Sequence, residues 1–137
     1  MGNTLTKFIF DKVGVPTSRT FLDLAAFRHK LISGNVANVS TPGYKARSID
    51  FQSEFAKMTK KTDHLPGLIT NTSHIPLGRN EARQPEIHEE SVADGEMNSV
   101  DIDREMSDLA QNELLFTIGA RMLQKKFEGI RKAIVNK

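Results

Sequence analysis

From Ile102 towards the C-terminus, apolar side chains return at alternating steps of four and three residues. Ile102, Met106, Leu109, Phe116, Ala120, Leu123, Phe127, Ile130 and Ile134 fall on this series, and Glu113 interrupts it. The spacing is that of the a and d positions of a coiled coil, sustained over about four heptads. It predicts a helix over about residues 100–135, roughly 50 Å long at about 1.5 Å per residue. Asn98 or Ser99 is placed to cap its start. Asp101, Asp103 and Glu105 suit the positive N-terminal end of the helix, and Lys125, Lys126, Arg131 and Lys132 suit its negative C-terminal end. A stripe this narrow cannot be buried by its own helix, so the chain must supply partner helices or find them elsewhere.

The chain supplies one sizeable partner. Phe21, Leu24, Phe27 and Leu31 stand at helical spacing in a stretch without proline, which predicts a helix over about 18–39 with Thr17 or Ser18 as its N-cap. This helix covers only part of the longer seam, and the remainder argues for packing between molecules. A short helix over 3–13, ended by Gly14 and Pro16, is expected before it. The 18–39 helix should stop at Thr41-Pro42-Gly43-Tyr44, where Pro and Gly suit the two central positions of a type II turn. Phe51, Phe55 and Met58 then predict a short helix capped by Ser48 or Asp50. Residues 62–97 hold Pro66, Pro76 and Pro85 and read as loop, with short strands expected in the stretch around Ile69, Thr70 and Thr72. The expected organisation is an N-terminal helical arm with a turn motif (1–61), a Pro/Gly-rich acidic middle (62–97) and a heptad helix (98–137) that forms one helical domain with the arm. The fold class is mainly α: long N- and C-terminal helices packed as a coiled coil around a small irregular or short-β middle segment.

Composition removes several kinds of chemistry. The absence of cysteine excludes disulfides, thiolate-bound zinc and a thiol nucleophile. No apolar run is long enough to span a membrane as a helix, and the first residues lack the h-region of a cleavable signal peptide. His29, His64, His74 and His88 show no metal-ligand spacing, and no phosphate loop or nucleophile elbow occurs. Asp101 and Asp103, two residues apart on a helix, point to different sides and suit the helix dipole better than acid–base work. Neither an enzyme, a metal nor a cofactor is therefore expected. Charge is uneven: net +6 over residues 1–61, −9 over 62–120 and +5 over 121–137. Basic ends allow nucleic-acid binding, solvated helix faces, or head-to-tail attraction between copies. The acidic middle and the lack of a nucleic-acid motif make the first of these the weakest.

Residues 34–45, GNVANVSTPGYK, resemble the signature of the flagellar axial protein family at Asn35, Ala37, Asn38, Thr41, Pro42, Gly43, Tyr44 and Lys45. Gly34 departs from it, since Ala or Asn is usual there. The following ARSIDFQSEF looks like a stretch of the family's proximal rod members, with Ser48 in place of the usual Asp. NSVDIDREM, carrying Val100, Asp101, Asp103, Arg104 and Glu105, is similar to their second motif, with Met97 where Gly is usual. The resemblance implies a structural subunit of the bacterial flagellar basal body, exported through the flagellar type III apparatus and assembled into the periplasmic proximal rod. Implied partners are further copies of itself, other proximal rod proteins, the adapter FliE and the MS ring, with no nucleic acid and no direct membrane insertion. On this reading Phe21, Leu24, Phe27 and Leu31 pair with the Ile102–Ile134 seam inside the subunit, and the overhang packs on neighbours. Asn35 and Asn38 would hydrogen-bond backbone near the turn. Another axial protein of the same family is the alternative within this class.

Overall fold

A computed structural model describes residues 13–60 and 84–135. The expected 3–13 helix and the strands around Ile69 lie outside these residues, apart from Val13. The chain order is α1 (Val15–Ala37), β1 (Arg47–Ser48), α2 (Phe51–Thr59), β2 (His88–Glu89) and α3 (Ile102–Val135). α1 and α3 lie side by side and run in opposite directions. Lys126 reaches the start of α1, donating from Nζ to Gly14 O at 2.8 Å and Ser18 Oγ at 2.6 Å, while Glu105 meets Asn35 near its end.

Three helix boundaries differ from the sequence expectation. α1 begins at Val15, not 18, because Pro16 sits in its first turn, where a missing N–H breaks no helical bond. Gly14 stands at the N-cap with φ 72°, so neither Thr17 nor Ser18 caps the helix. Ser18 and Thr20 instead donate their hydroxyls back to the carbonyls of Gly14 and Pro16. α1 ends at Ala37, where the Asn38 N–H reaches the carbonyls of Asn35 and Val36. For α3 the cap is Asp101, whose Oδ1 accepts from the N–H groups of Asp103 and Arg104 at 3.0 and 3.3 Å. Asn98 and Ser99 serve the loop before it. Asp50 caps α2 as one of the two expected residues, accepting from Ser53 N at 3.1 Å. Ser48 is taken into β1.

β1 and β2 form a two-stranded antiparallel sheet, with Arg47 opposite Glu89 and Ser48 opposite His88. β2 falls in a stretch read as loop from its acidic composition. Two residues are too few to leave a periodic signal. Among the described residues the buried apolar ones are few: Leu24, Ala25, Ile32, Ala46 and Ile49. Beside them lies an aromatic cluster. The Phe21 ring meets Phe51 and Phe55 edge-on, with centroids 5.1 and 5.5 Å away. The other side of Phe21 lies against Gly119.

That last contact sets the closeness of the two long helices. A Cβ built on Gly119 would stand 2.8 Å from Phe21 Cδ1 and 3.1 Å from Leu22 Cδ2. Gly119→Ala should therefore destabilise the chain by about 1–3 kcal/mol through overpacking. Gly129→Ala on the same helix, where nothing lies within 4 Å, should stabilise by up to about 1 kcal/mol through helix propensity. Urea unfolding of the two variants checks both signs, and equal effects would remove the packing argument.

Candidate functional site

The turn motif closes on one side chain. Asn35 is only 1% exposed. Its Nδ2 donates to Arg47 O and to Glu105 Oε1, both at 2.9 Å. Its Oδ1 accepts from Arg47 N at 2.9 Å and from the Tyr44 hydroxyl at 3.4 Å. The amide thus binds both backbone groups of Arg47, as a neighbouring strand would, while holding α3. Thr41 to Tyr44 form the expected turn: Tyr44 N donates to Thr41 O at 3.3 Å, and Gly43 adopts φ 72° after Pro42. Asn38 donates to Gly34 O at 2.8 Å and accepts from the Thr41 hydroxyl at 3.2 Å. Ala37 and Lys45 are exposed, and Gly34 leaves ordinary room for a Cβ, 3.8 Å from the Tyr44 hydroxyl.

The turn is also tied to the start of α3. Gly43 N donates to Met97 O at 2.7 Å, and Ser99 N donates to Tyr44 O at 3.2 Å. Asn98 Nδ2 donates to Val39 O, and Asn98 Oδ1 accepts from Val100 N. Ser99 Oγ accepts from Ala46 N at 2.8 Å. Asp103 is exposed, and Arg104 pairs with Glu90 at 2.9 Å. The two motifs that the sequence singles out, residues 34–45 and 98–105, therefore meet as one junction.

The face that α3 turns to α1 overlaps the predicted seam only in part. None of the ten seam positions is buried: Leu109, Leu123 and Ile130 are half-buried, while Ile102, Met106, Glu113, Phe116, Ala120, Phe127 and Ile134 are exposed. The buried residues of α3 are Glu105, Asn112 and Gly119. Asn112 donates to Ala25 O at 3.0 Å, and Asp108 binds Arg28 at 3.0 Å. On α1, Leu24 is buried and Phe21, Phe27 and Leu31 are half-buried. The reason is local chemistry. α1 offers α3 an amide, a guanidinium, a carbonyl and a bulky ring, and the residues that answer these are polar or small. Glu105, Asn112, Gly119 and Lys126 share a seven-residue spacing visible in the sequence, but polar residues so spaced read as a solvated face.

What remains outward is an apolar strip, with Met106 51%, Phe116 45% and Ile134 71% exposed. Leu22, Ala120, Leu123 and Phe127 line a groove of about 480 Å³ on this side. The strip and the groove present apolar side chains to solvent along one side of α3. Among the described residues no group of three or more His, Asp or Glu side chains could hold a metal ion, and no helix is long and apolar enough to cross a membrane. His29 and His88 are exposed, and His64 and His74 lie outside the described residues.

Burial pushes the Glu105 carboxyl above its ordinary value of 4.5. The Asn35 hydrogen bond opposes this, the Asp108 charge adds to it, Arg104 opposes, and Glu90 adds. The native state then holds this proton more tightly than the unfolded chain does. Its contribution is neutral below the unfolded value and becomes unfavourable as pH rises through the higher folded one. Glu105→Gln keeps an oxygen for Asn35 but cannot ionise. The stability of the native chain relative to this variant should fall as pH rises above 4.5, measured by urea unfolding from mildly acidic to neutral pH. Parallel pH profiles would remove the effect. Asn35→Ala strands Arg47 N–H and the Glu105 carboxylate, and should cost at least about 2 kcal/mol, at about 1–3 kcal/mol per orphaned group.

No family model matches the chain. Individual relatives do. It is 33% identical over 121 residues to the flagellar basal body rod protein FlgB of Escherichia coli strain K12, covering 82% of this chain and 86% of that protein. The Cereibacter sphaeroides protein of the same name is 31% identical over 129 residues, covering 90% and 94%. That of Bacillus subtilis strain 168 is 27% identical over 119 residues, covering 82% and 86%.

Proposed function

The chain belongs to the family of the flagellar basal body rod protein FlgB, as a structural rod subunit, and from that premise we propose that its outward apolar strip is the surface by which it builds the rod. The single observation that carries this reading is the division of α3. Its inner face is already engaged with α1 through Glu105, Asn112, Gly119 and Lys126, yet Met106, Phe116 and Ile134 stay exposed beside it. A contact that joins such a strip to a different face of the next subunit is heterologous, and where its rotation does not close a ring it repeats into a helical tube.

The subunit lies in the proximal rod, on the periplasmic side next to the MS ring. Its neighbours there are further copies, other proximal rod proteins and the adapter FliE, and it reaches them through the flagellar type III export apparatus. The junction of Asn35, Tyr44, Ser99 and Glu105 sets where α1 ends and α3 begins, and so fixes the angle at which the strip is presented. The resemblance of residues 34–45 and 98–105 to the family motifs supports this assignment, because those are the segments that meet in the junction.

Deletion of the gene, followed by electron microscopy of purified basal bodies, should give rings without rods in cells that do not swim. Complete rods would overturn the proposal. Met106→Glu and Phe116→Glu should leave the isolated chain within about 0.5 kcal/mol of its native stability, as exposed positions do, while failing to restore swimming to the deletion strain. Full complementation by both variants would take the strip out of assembly.

A further inference from the structure

Glu105, Asn112, Gly119 and Lys126 stand seven residues apart on α3, and each meets α1 by a different contact. We infer that they form a register code, which fixes how far α3 slides along α1 and which face it turns inward. Its use in keeping the apolar strip free for a neighbouring subunit rests on the function proposed above. The code itself does not.

Apolar contacts alone would set this register weakly. They are non-directional, and a seam of Leu, Ile, Met and Phe looks much the same after a slide of one heptad. The polar contacts do not. After such a slide Glu105 loses the Asn35 amide, and Lys126 loses Gly14 O and Ser18 Oγ. Phe21 would meet Asn112 or Lys126 where it now meets Gly119, and a Cβ at that site comes within 2.8 Å of its ring. No slide of one heptad either way gives Phe21 a position without a side chain.

Asn112 shows that this specificity carries a cost. The side chain is 1% exposed, and its Nδ2 donates to Ala25 O. Its Oδ1 is buried without a hydrogen-bond partner. A half-satisfied amide between two helices is less favourable than a leucine of similar size, whereas a buried asparagine at such a seam discriminates against shifted pairings. The same series turns the helix. The strip at Met106, Ala120 and Ile134 lies one residue further along, about 100° round the axis, and is turned away from the centre of the helix pair while these contacts hold.

The absence of cysteine makes the register directly measurable. In the full chain, Leu22→Cys with Leu123→Cys joins two residues of one groove and reports the native register. Leu22→Cys with Phe116→Cys, or with Ile130→Cys, reports a slide of one heptad either way. Disulfide yield after mild oxidation should favour the native pair strongly. In Asn112→Leu/Gly119→Ala, and separately in Glu105→Leu/Lys126→Leu, the ratio of native to shifted product should fall at least about tenfold, as when specific buried contacts are lost. An unchanged ratio in a variant that remains helical by circular dichroism overturns the code. Loss of helicity in both variants overturns it too, since the residues would then supply stability and not register. Swimming is scored separately. Shifted cross-links with normal swimming would overturn the link to the strip alone, and failure of the rod function itself would show as normal swimming in the deletion strain.

Discussion

The Asn35 carboxamide is the point on which the two halves of this chain depend. It uses two donors and two acceptor positions at once, close to the full capacity of the group. Both backbone polar groups of Arg47 go to this amide, while Ala46 O accepts from Glu90 N on the other side, so a two-residue strand is held from both edges. Glu105 brings the first turn of α3 to the same amide, and Tyr44 brings the turn. With so few apolar residues buried among the described ones, four hydrogen bonds through one buried residue decide the geometry more sharply than apolar contact can. The arrangement also explains how a carboxylate is tolerated at 8% exposure at the mouth of the helix pair.

α3 inverts the usual relation between burial and polarity. Its buried positions are Glu, Asn and Gly, with Leu109, Leu123, Lys126 and Ile130 half-buried beside them, and much of its apolar surface faces out. Nothing in helix geometry forbids this, because positions one residue apart lie about 100° round the axis and can serve different partners. The inner contacts are directional and weakly driven by water exclusion. The outer strip is non-directional and strongly driven by it. A subunit built this way keeps a defined internal arrangement with modest stability and leaves most of its hydrophobic gain to association.

The sequence made the helices, the Thr41–Tyr44 turn and the meeting of two motifs legible, because each has a local cause: apolar period, proline and glycine chemistry, and resemblance. Asp50 was readable as a cap for the same reason. The errors have a common origin. Pro16 reads as a stop or as a first-turn residue according to what precedes it, and Asp101 competes with Asn98 and Ser99, all three good caps. Hydrophobic periodicity found the more apolar of two overlapping heptad series and assigned it inward. Which series faces α1 depends on Phe21, Arg28 and Asn35 as partners, a non-local fact. Glu105 illustrates it: its place in the first turn suits the helix dipole, and only the fold makes it the partner of Asn35. β2 lies below the length at which any pattern can form.

The short ion pairs at Lys57 have a bearing on how chains of this kind can diverge. The Lys57 ammonium reaches Glu54 at 2.6 Å and Glu86 at 3.2 Å, which ties α2 to the residues just before β2. The Glu86 side of this pair is exposed and worth little, so it tolerates substitution. The spacing between Asn35 and Arg47, and that from Ser99 to Glu105, is held instead by hydrogen bonds at a buried amide and its surroundings, and stays under tight geometric constraint.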